Sequence, residues 1–506
     1  MPEYLNVYVE NERYDDNPFI DRKPDLSELP KFDEVKDKLP EPFWDGHPDS
    51  IEAYYKAWRI AFGNLGKPTA ENGFVSPYID AAFNGHIFMW DSCFMLMFGK
   101  YGDKAFSFQR TLDNFYCKQE PDGFIGREYS EENGESIFYR LDPVSTGPEI
   151  MDWCEWQYYK CFGDRKRLAD VYYPLLTYHR WMRMFHTWRD GSYWASGFGC
   201  GMDNLPRRDK FTGFDDFDSG IYFHSFMSWV DANFQAILSC ENLLNMAHEL
   251  GEDYGVEELE EEKKLLIGYV NEKLWSKDDA YYYDLRRDGS FLTQKTLASY
   301  WGLLAGAVPE DRADSFIAHL ENEKEFKRPH RVPTLSADSG DYDPDGGYWN
   351  GGVWAPTVYM VLRGLTRYGR HGLAAEIAEN HYENVMKVFN ETGTFWENYA
   401  PESAAPGRAQ KDFVGWTGLV PITVFIEYIL GITVESEKDL IIWRVSKTER
   451  HGIKKLSVDR DSTVDLECAA RSSVSEKPAV TVKCDKDITV KVIYDGGKSF
   501  TVGSER

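Results

Sequence analysis

Leu250-Gly251-Glu252 ends one run of apolar residues spaced i, i+3, i+4, i+7 over 220–250 and opens a second over 252–275. A glycine just past an apolar-periodic run is a helix stop, so these three residues read as a tight turn between two helices. Tyr101-Gly102-Asp103, Phe162-Gly163-Asp164 and Tyr368-Gly369-Arg370 repeat the arrangement, and Pro309 marks a fifth short junction. Working outward, the same spacing predicts about twelve helices: 50–64, 89–101, 103–119, 147–162, 165–188, 220–250, 252–275, 292–305, 310–322, 353–368, 370–391 and 414–430. Short turns alternate with long connections at 65–88, 120–146, 189–219, 276–291, 323–352 and 392–413. In an antiparallel array all the long connections emerge at one end. The expected fold is therefore mainly α, an (α/α)6 toroid with its working face on the long loops.

The pattern changes after Gly431. Leu440-Ile441-Ile442-Trp443, residues 462–468, residues 479–483 and residues 488–494 alternate with period two, and Asp495-Gly496-Gly497 supplies a turn. The expected division is an N-terminal arm over 1–48, a helical catalytic domain over 49–431 and a small antiparallel β domain over 432–506. Lys plus Arg number 57 against 84 Asp plus Glu, a net charge of -27. Such a surface repels phosphodiesters and anionic membranes, so no nucleic acid or membrane partner is expected. No apolar run reaches spanning length and Met1-Pro2-Glu3-Tyr4 has no basic or apolar leader, which points to a cytoplasmic protein. The eight cysteines lack paired spacing, so neither a zinc site nor a disulfide framework is signalled and no metal or cofactor is expected. Oligomeric state is not legible.

Chemistry-bearing residues concentrate in the long loops. In Ser196–Arg207 three glycines and Pro206 surround a single carboxylate, Asp203, with Arg207 four residues on. An ordinary Asx turn with a surface salt bridge is the plain alternative. In Gly393–Glu402 aromatic neighbours flank Glu397, which raises a carboxyl pKa, and Glu402 is a rival for its role. Gly346–Pro356 sets Trp349, Asn350 and Trp354 among four glycines, and indole faces stack on pyranose C–H faces while an amide serves hydroxyls. Trp90-Asp91 opens the second helix and Gln119 closes the third. His86, His224 and His330 stand isolated in the sequence. Two carboxylates over one aromatic cavity suit glycosidic bond cleavage, one giving a proton to the leaving oxygen and one activating water or attacking carbon.

Trp90-Asp91, Gly201–Arg207, Trp349–Trp354, Trp396–Tyr399 and Phe413–Leu419 together resemble the signature blocks of glycoside hydrolase family 63, nearest its mannosylglycerate hydrolase-like branch, over about residues 50–430. The resemblance implies an (α/α)6 barrel and an inverting reaction on a small carbohydrate. It makes Asp203 the general acid and Glu397 the general base. It lines the sugar pocket with Trp90, Asp91, Gln119, Trp349, Gly351 and Trp354, beside which Gly201, Arg207, Asn350 and Tyr399 are further candidates. A sugar epimerase or isomerase on the same toroid, or a non-catalytic carbohydrate-binding protein, are the competing readings.

Overall fold

A computed structural model describes residues 11–81, 83–207 and 222–505. Among the described residues twelve helical segments build its body. They are α1 (Pro48–Gly63), α2 (Met89–Gly99), α3 (Phe108–Leu112 continuing as Asp113–Tyr116), α4 (Met151–Phe162), α5 (Arg165–Phe185) and α6 (Val230–Leu250). Then follow α7 (Val256–Tyr269), α8 (Leu297–Tyr300 continuing as Trp301–Leu304), α9 (Glu310–Ile317), α10 (Ala355–Arg367), α11 (His371–Thr392) and α12 (Trp416–Leu419 continuing as Val420–Ile429).

Residue chemistry decides which helices lie inside. Every residue of α2, Met-Trp-Asp-Ser-Cys-Phe-Met-Leu-Met-Phe-Gly, is buried, and a helix apolar all round belongs in a core. In α1 the buried positions are 50, 53, 54, 57, 58, 61 and 62, a single stripe. In α7 only Leu259, Glu262 and Leu266 are buried. The even-numbered helices form a closed inner ring, with α2 against α4, α4 against α6, α6 against α8, α8 against α10, α10 against α12 and α12 back against α2. Odd-numbered helices pack outside, as α5 does on α4 and α6 and α11 does on α10, α12 and α1. The toroid is an (α/α)6 barrel.

Gly163, Gly251 and Gly369 end their helices at φ of +63°, +71° and +70°, the left-handed region that glycine enters without strain. Gly102 does not. It lies in a 3-10 turn, Lys100–Gly102, where a Cβ would sit 2.7 Å from the Trp58 ring. Close packing, not turn geometry, requires glycine there. The expected helix over 292–305 begins only at Leu297, because Phe291–Leu292 pairs as a strand with Asp284–Leu285. Residues 208–219 of the third long connection lie outside the described residues.

The C-terminal region holds two four-stranded sheets. In one, Glu41–Trp44 from near the N-terminus joins His451–Ser457, Thr463–Cys468 and Val480–Cys484, all antiparallel. In the other, Ile432–Glu435, Leu440–Arg444, Thr489–Tyr494 and Lys498–Gly503 are neighbours in that order, and Leu440–Arg444 runs parallel to Thr489–Tyr494. That ladder departs from the expected all-antiparallel pattern, since the chain crosses to the first sheet between its two strands. Among the described residues no helix is long and apolar enough to cross a membrane.

Candidate active site

The long connections meet over the N-terminal ends of the inner helices. His86–Phe88, leading into α2, pairs with Glu128–Ser130 of the second connection. That pairing sets Trp90 and Asp91, in the first turn of α2, beside Arg127. From the third connection, Gly201 turns at φ +75° with the Trp90 indole only 2.6 Å from where a Cβ would be. Any side chain there would displace Trp90. The next two residues bring Asp203 to the same wall. Trp90, Asp91, Gly201, Asp203, Tyr348 and Trp349 line one narrow cleft of about 60 Å³, with Phe83, Phe88, Phe198 and Trp416 as its aromatic walls.

Asn204 locks the acid-bearing loop to the Trp349 loop: its Nδ2 donates to the Gly347 carbonyl at 3.0 Å and its Oδ1 accepts from the Trp349 N–H at 2.7 Å. Trp349 in turn stacks on Trp354, 3.7 Å between ring centroids and 3° from parallel. Trp354 is fully buried and its Nε1 donates to the Tyr348 carbonyl. It is a floor beneath Trp349 and does not line the cleft, contrary to expectation.

Glu397 is buried and fixed on three sides. Tyr348 Oη donates to its Oε1 at 3.1 Å, the Gln410 N–H donates to its Oε2 at 3.0 Å, and Trp416 Nε1 donates to its backbone carbonyl at 2.9 Å. Tyr348 reaches it from a left-handed backbone, φ +65°, a conformation a tyrosine holds only at a cost. Tyr348 lines the cleft and holds Glu397 behind it, near enough to Asp203 for the Glu397 charge to act on that carboxyl. Glu402 does not compete: Arg328 clamps both of its oxygens at 2.7 and 2.8 Å and Tyr342 donates to Oε1 at 2.7 Å. Those bonds hold its carboxyl below the usual range.

The electrostatics separate the acids. Burial pushes Asp203 up to about 7; Arg127 opposes this and the negative charge of Glu397 adds to it. Burial likewise raises Asp91, with Asp80 and Asp203 reinforcing it and Arg127 opposing. Glu397 is also raised by burial, but the Gln410 N–H and Tyr348 O–H favour its ionised form.

Five other expected pocket residues lie elsewhere. Gln119 spends its amide inside the fold, accepting from Asn17 and donating to the carbonyls of Gly123 and Pro174. Arg207 is buried under the loop, bidentate to both Asp231 and Asp284 at 2.6–2.8 Å and stacked over Trp229. It anchors the Asp203 loop to the start of α6. Tyr399 is buried, its backbone paired with Val353 and its hydroxyl accepting from the Trp396 N–H. Asn350 and Gly351 shape the loop instead of the cleft: Gly351 sits at φ +111° with the Tyr342 ring 2.8 Å from a would-be Cβ, and the Asn350 carbonyl accepts from Asp343. Sequence reasoning misses Tyr348, Asn204 and Arg127. Tyr348 and Asn204 stand inside the quoted glycine-rich segments, and that placement is their only signal.

No histidine lines the cleft among the described residues. His330 is not isolated, since its Nε2 lies 2.7 Å from His381 Nδ1 in the core. One set of metal-type ligands comes together away from the cleft, His179, Cys240 and Glu262, within 4.8 Å of one another. Both ring nitrogens of His179 are already bonded there, to Glu149 at 2.6 Å and Glu262 at 3.3 Å.

The mannosylglycerate hydrolase MGH1-like glycoside hydrolase domain matches residues 85–417. The chain belongs to that family. It is a glycoside hydrolase with a carbohydrate substrate. An uncharacterized protein of Borreliella burgdorferi is 26% identical over 392 residues, 75% of this chain and 79% of that one. A probable mannosyl-oligosaccharide glucosidase of Schizosaccharomyces pombe is 25% identical over 287 residues, 50% of this chain but only 34% of the yeast protein. Among solved structures, the family 63 mannosylglycerate hydrolase of Thermus thermophilus in complex with glucose superposes with a TM-score of 0.61 at 21% identity, over 73% of this chain and 99% of that one. It shares the barrel.

Proposed function

We propose that this hydrolase is an inverting, exo-acting α-glycosidase for a short oligosaccharide or small glycoside, with Asp203 as general acid and Glu397 as general base. The observation that carries the reading is the contrast between two carboxyls, Asp203 on the cleft wall and Glu397 held behind it by Tyr348. Asp203, held near pH 7 by burial, keeps a proton to give at neutral pH. Glu397, whose two oxygens accept hydrogen bonds from Tyr348 and Gln410, is set up to be ionised and to take a proton from water. In the forward step the Asp203 proton passes to the glycosidic oxygen as its bond to the anomeric carbon breaks. Water attacks that carbon from the opposite face while its proton goes to Glu397, which gives the inverted hemiacetal.

Trp349 offers an indole face to the sugar ring and Asp91 a carboxyl to its hydroxyls. The narrow aromatic walls suit a terminal sugar over a mid-chain one. The names of the related hydrolase and glucosidase make α-glucosides and α-mannosides, mannosylglycerate among them, the classes to test. Hydrolysis of these by the purified protein, with the first-formed anomer followed by proton NMR, decides the mechanism. An inverted β-anomer is expected; a retained α-anomer overturns the roles given to Asp203 and Glu397. Asp203→Asn and Glu397→Gln should each cut kcat by at least about 1,000-fold, given that proton transfer alone contributes roughly 100- to 10,000-fold.

A further inference from the structure

A second cavity lies at the opposite end of the toroid from the cleft. It holds about 330 Å³ between the C-terminal ends of α4, α6 and α10 and the strands Ile432–Glu435 and Leu440–Arg444. On a chain of net charge -27 its lining is unexpectedly cationic, with Lys160, Arg363, Arg367 and Arg444 against Glu241 and Glu435.

The cations outnumber the carboxylates that could neutralise them. Glu241 is shared by Arg367 and Lys263. Glu427, behind the wall, is shared by Arg363 and Lys100. Glu435 is taken by Lys438 at 3.0 Å, which also approaches Glu437 at 3.8 Å. Lys160 makes no hydrogen bond or ion pair among the described residues; burial and the adjacent Arg363 pull its ammonium below the usual range, although Glu437 and Glu435 act in the other direction. The Arg444 guanidinium donates to His371 Nε2 at 3.2 Å and makes no ion pair among the described residues. Leaving charge in a desolvated place without a counter-charge is costly. Beside these cations stand Asn245, the Gln157 amide and the Trp156 ring, groups that suit a polyol body.

The geometry points to a second ligand site here, one that takes a phosphate-bearing small molecule. The phosphate occupies the space between Lys160, Arg363 and Arg444, and the hydroxylated body lies along Gln157 and Asn245. Guanidinium and ammonium donors match phosphate oxygens. Each helix end also presents partial negative charge to the cavity, so the competing account has these cations simply balancing helix termini. This inference is independent of the glycosidase reading.

Calorimetric titration of the full chain at constant ionic strength tests it, with inorganic phosphate and glucose 6-phosphate as probes and chloride as control. Either probe is expected to bind with a millimolar or tighter Kd and to raise Tm, and Lys160→Met with Arg444→Met to weaken it at least tenfold. Tighter binding of the ester than of inorganic phosphate identifies a sugar phosphate as the ligand, and equal binding identifies phosphate itself. Absence of heat and of any Tm rise beyond chloride overturns the site, as does undiminished binding in the double variant. Should that variant fold poorly, the wild-type titrations alone decide, since terminus balancing predicts no ligand response at all.

Discussion

At the scale of single residues, Asp203 links function to stability with opposite signs. Its folded value of about 7 lies above the usual 3.8, so the folded chain binds a proton more tightly than the unfolded chain. The associated stability is complete below about pH 4 and is lost as pH rises through 7. That rise corresponds to at most about 4 kcal/mol, less where water in the cleft screens the half-buried group. Asp203→Asn should therefore be inactive yet melt above the wild type, by a margin that widens between pH 6 and 8.5. Thermal unfolding at the two pH values checks this, and a constant margin contradicts the titration. Catalysis should fall along an alkaline limb near pH 7 for the same reason. Tyr348 gives a second test, because its O–H favours the ionised base. Tyr348→Phe should lower kcat about 10- to 100-fold and move the acid limb of the pH profile upward, a shift that loss of packing alone would not cause. Part of the cleft lining was legible: Asp203, Gly201 and Trp349 are singled out by residue type in glycine-rich loops, and Trp90 and Asp91 at the start of a helix. Arg207 and Gln119 misled because a guanidinium or an amide serves a ligand and a buried network equally well. Only the coordinates show Asp231, Asp284 and Asn17 already bound to them.

At the scale of elements, the four glycine turns that organise the chain divide into two kinds. The left-handed φ of Gly251 was readable because its neighbours are apolar-periodic on both sides, and nothing lies within 4 Å of its would-be Cβ. Gly251→Ala should cost about 1 kcal/mol through backbone strain alone. Gly102 looks identical in sequence, yet its cause is the ring of Trp58, 44 residues earlier, and such contacts carry no local signal. Gly102→Ala forces Trp58 and Phe108 apart and should cost about 1–3 kcal/mol, the range for overpacked cores. Denaturant unfolding of the two variants orders them. A larger loss for Gly251→Ala would show that turn geometry governs both. The parallel ladder between Leu440–Arg444 and Thr489–Tyr494 escaped for a related reason. Alternation declares a strand and its buried face, while direction depends on which strand it meets.

At the scale of the whole molecule, a ring of hairpins must close on itself, and the seam lies where α12 meets α2 and α10. Glu427 of α12 sits there, buried. Its Oε1 accepts from Lys100 at 2.9 Å and from Tyr101 at 2.7 Å, just past α2. Its Oε2 accepts from Tyr359 at 3.0 Å and Arg363 at 3.3 Å, both on α10. Burial works against the charge, but Lys100 and Arg363 hold the carboxyl below its usual range. One ionised acid thus ties the last inner helix to the first and the fifth, at the end of the toroid remote from the cleft. Glu427→Ala removes the shared partner and leaves Lys100 buried without a counter-charge, which should cost about 3–5 kcal/mol. Neither Glu427 nor any of its four partners lines the cleft, so the surviving folded fraction should keep the wild-type pH profile while unfolding at markedly lower denaturant. A Glu427→Ala protein with unchanged unfolding midpoint would mean that apolar packing among α2, α10 and α12 closes the ring unaided.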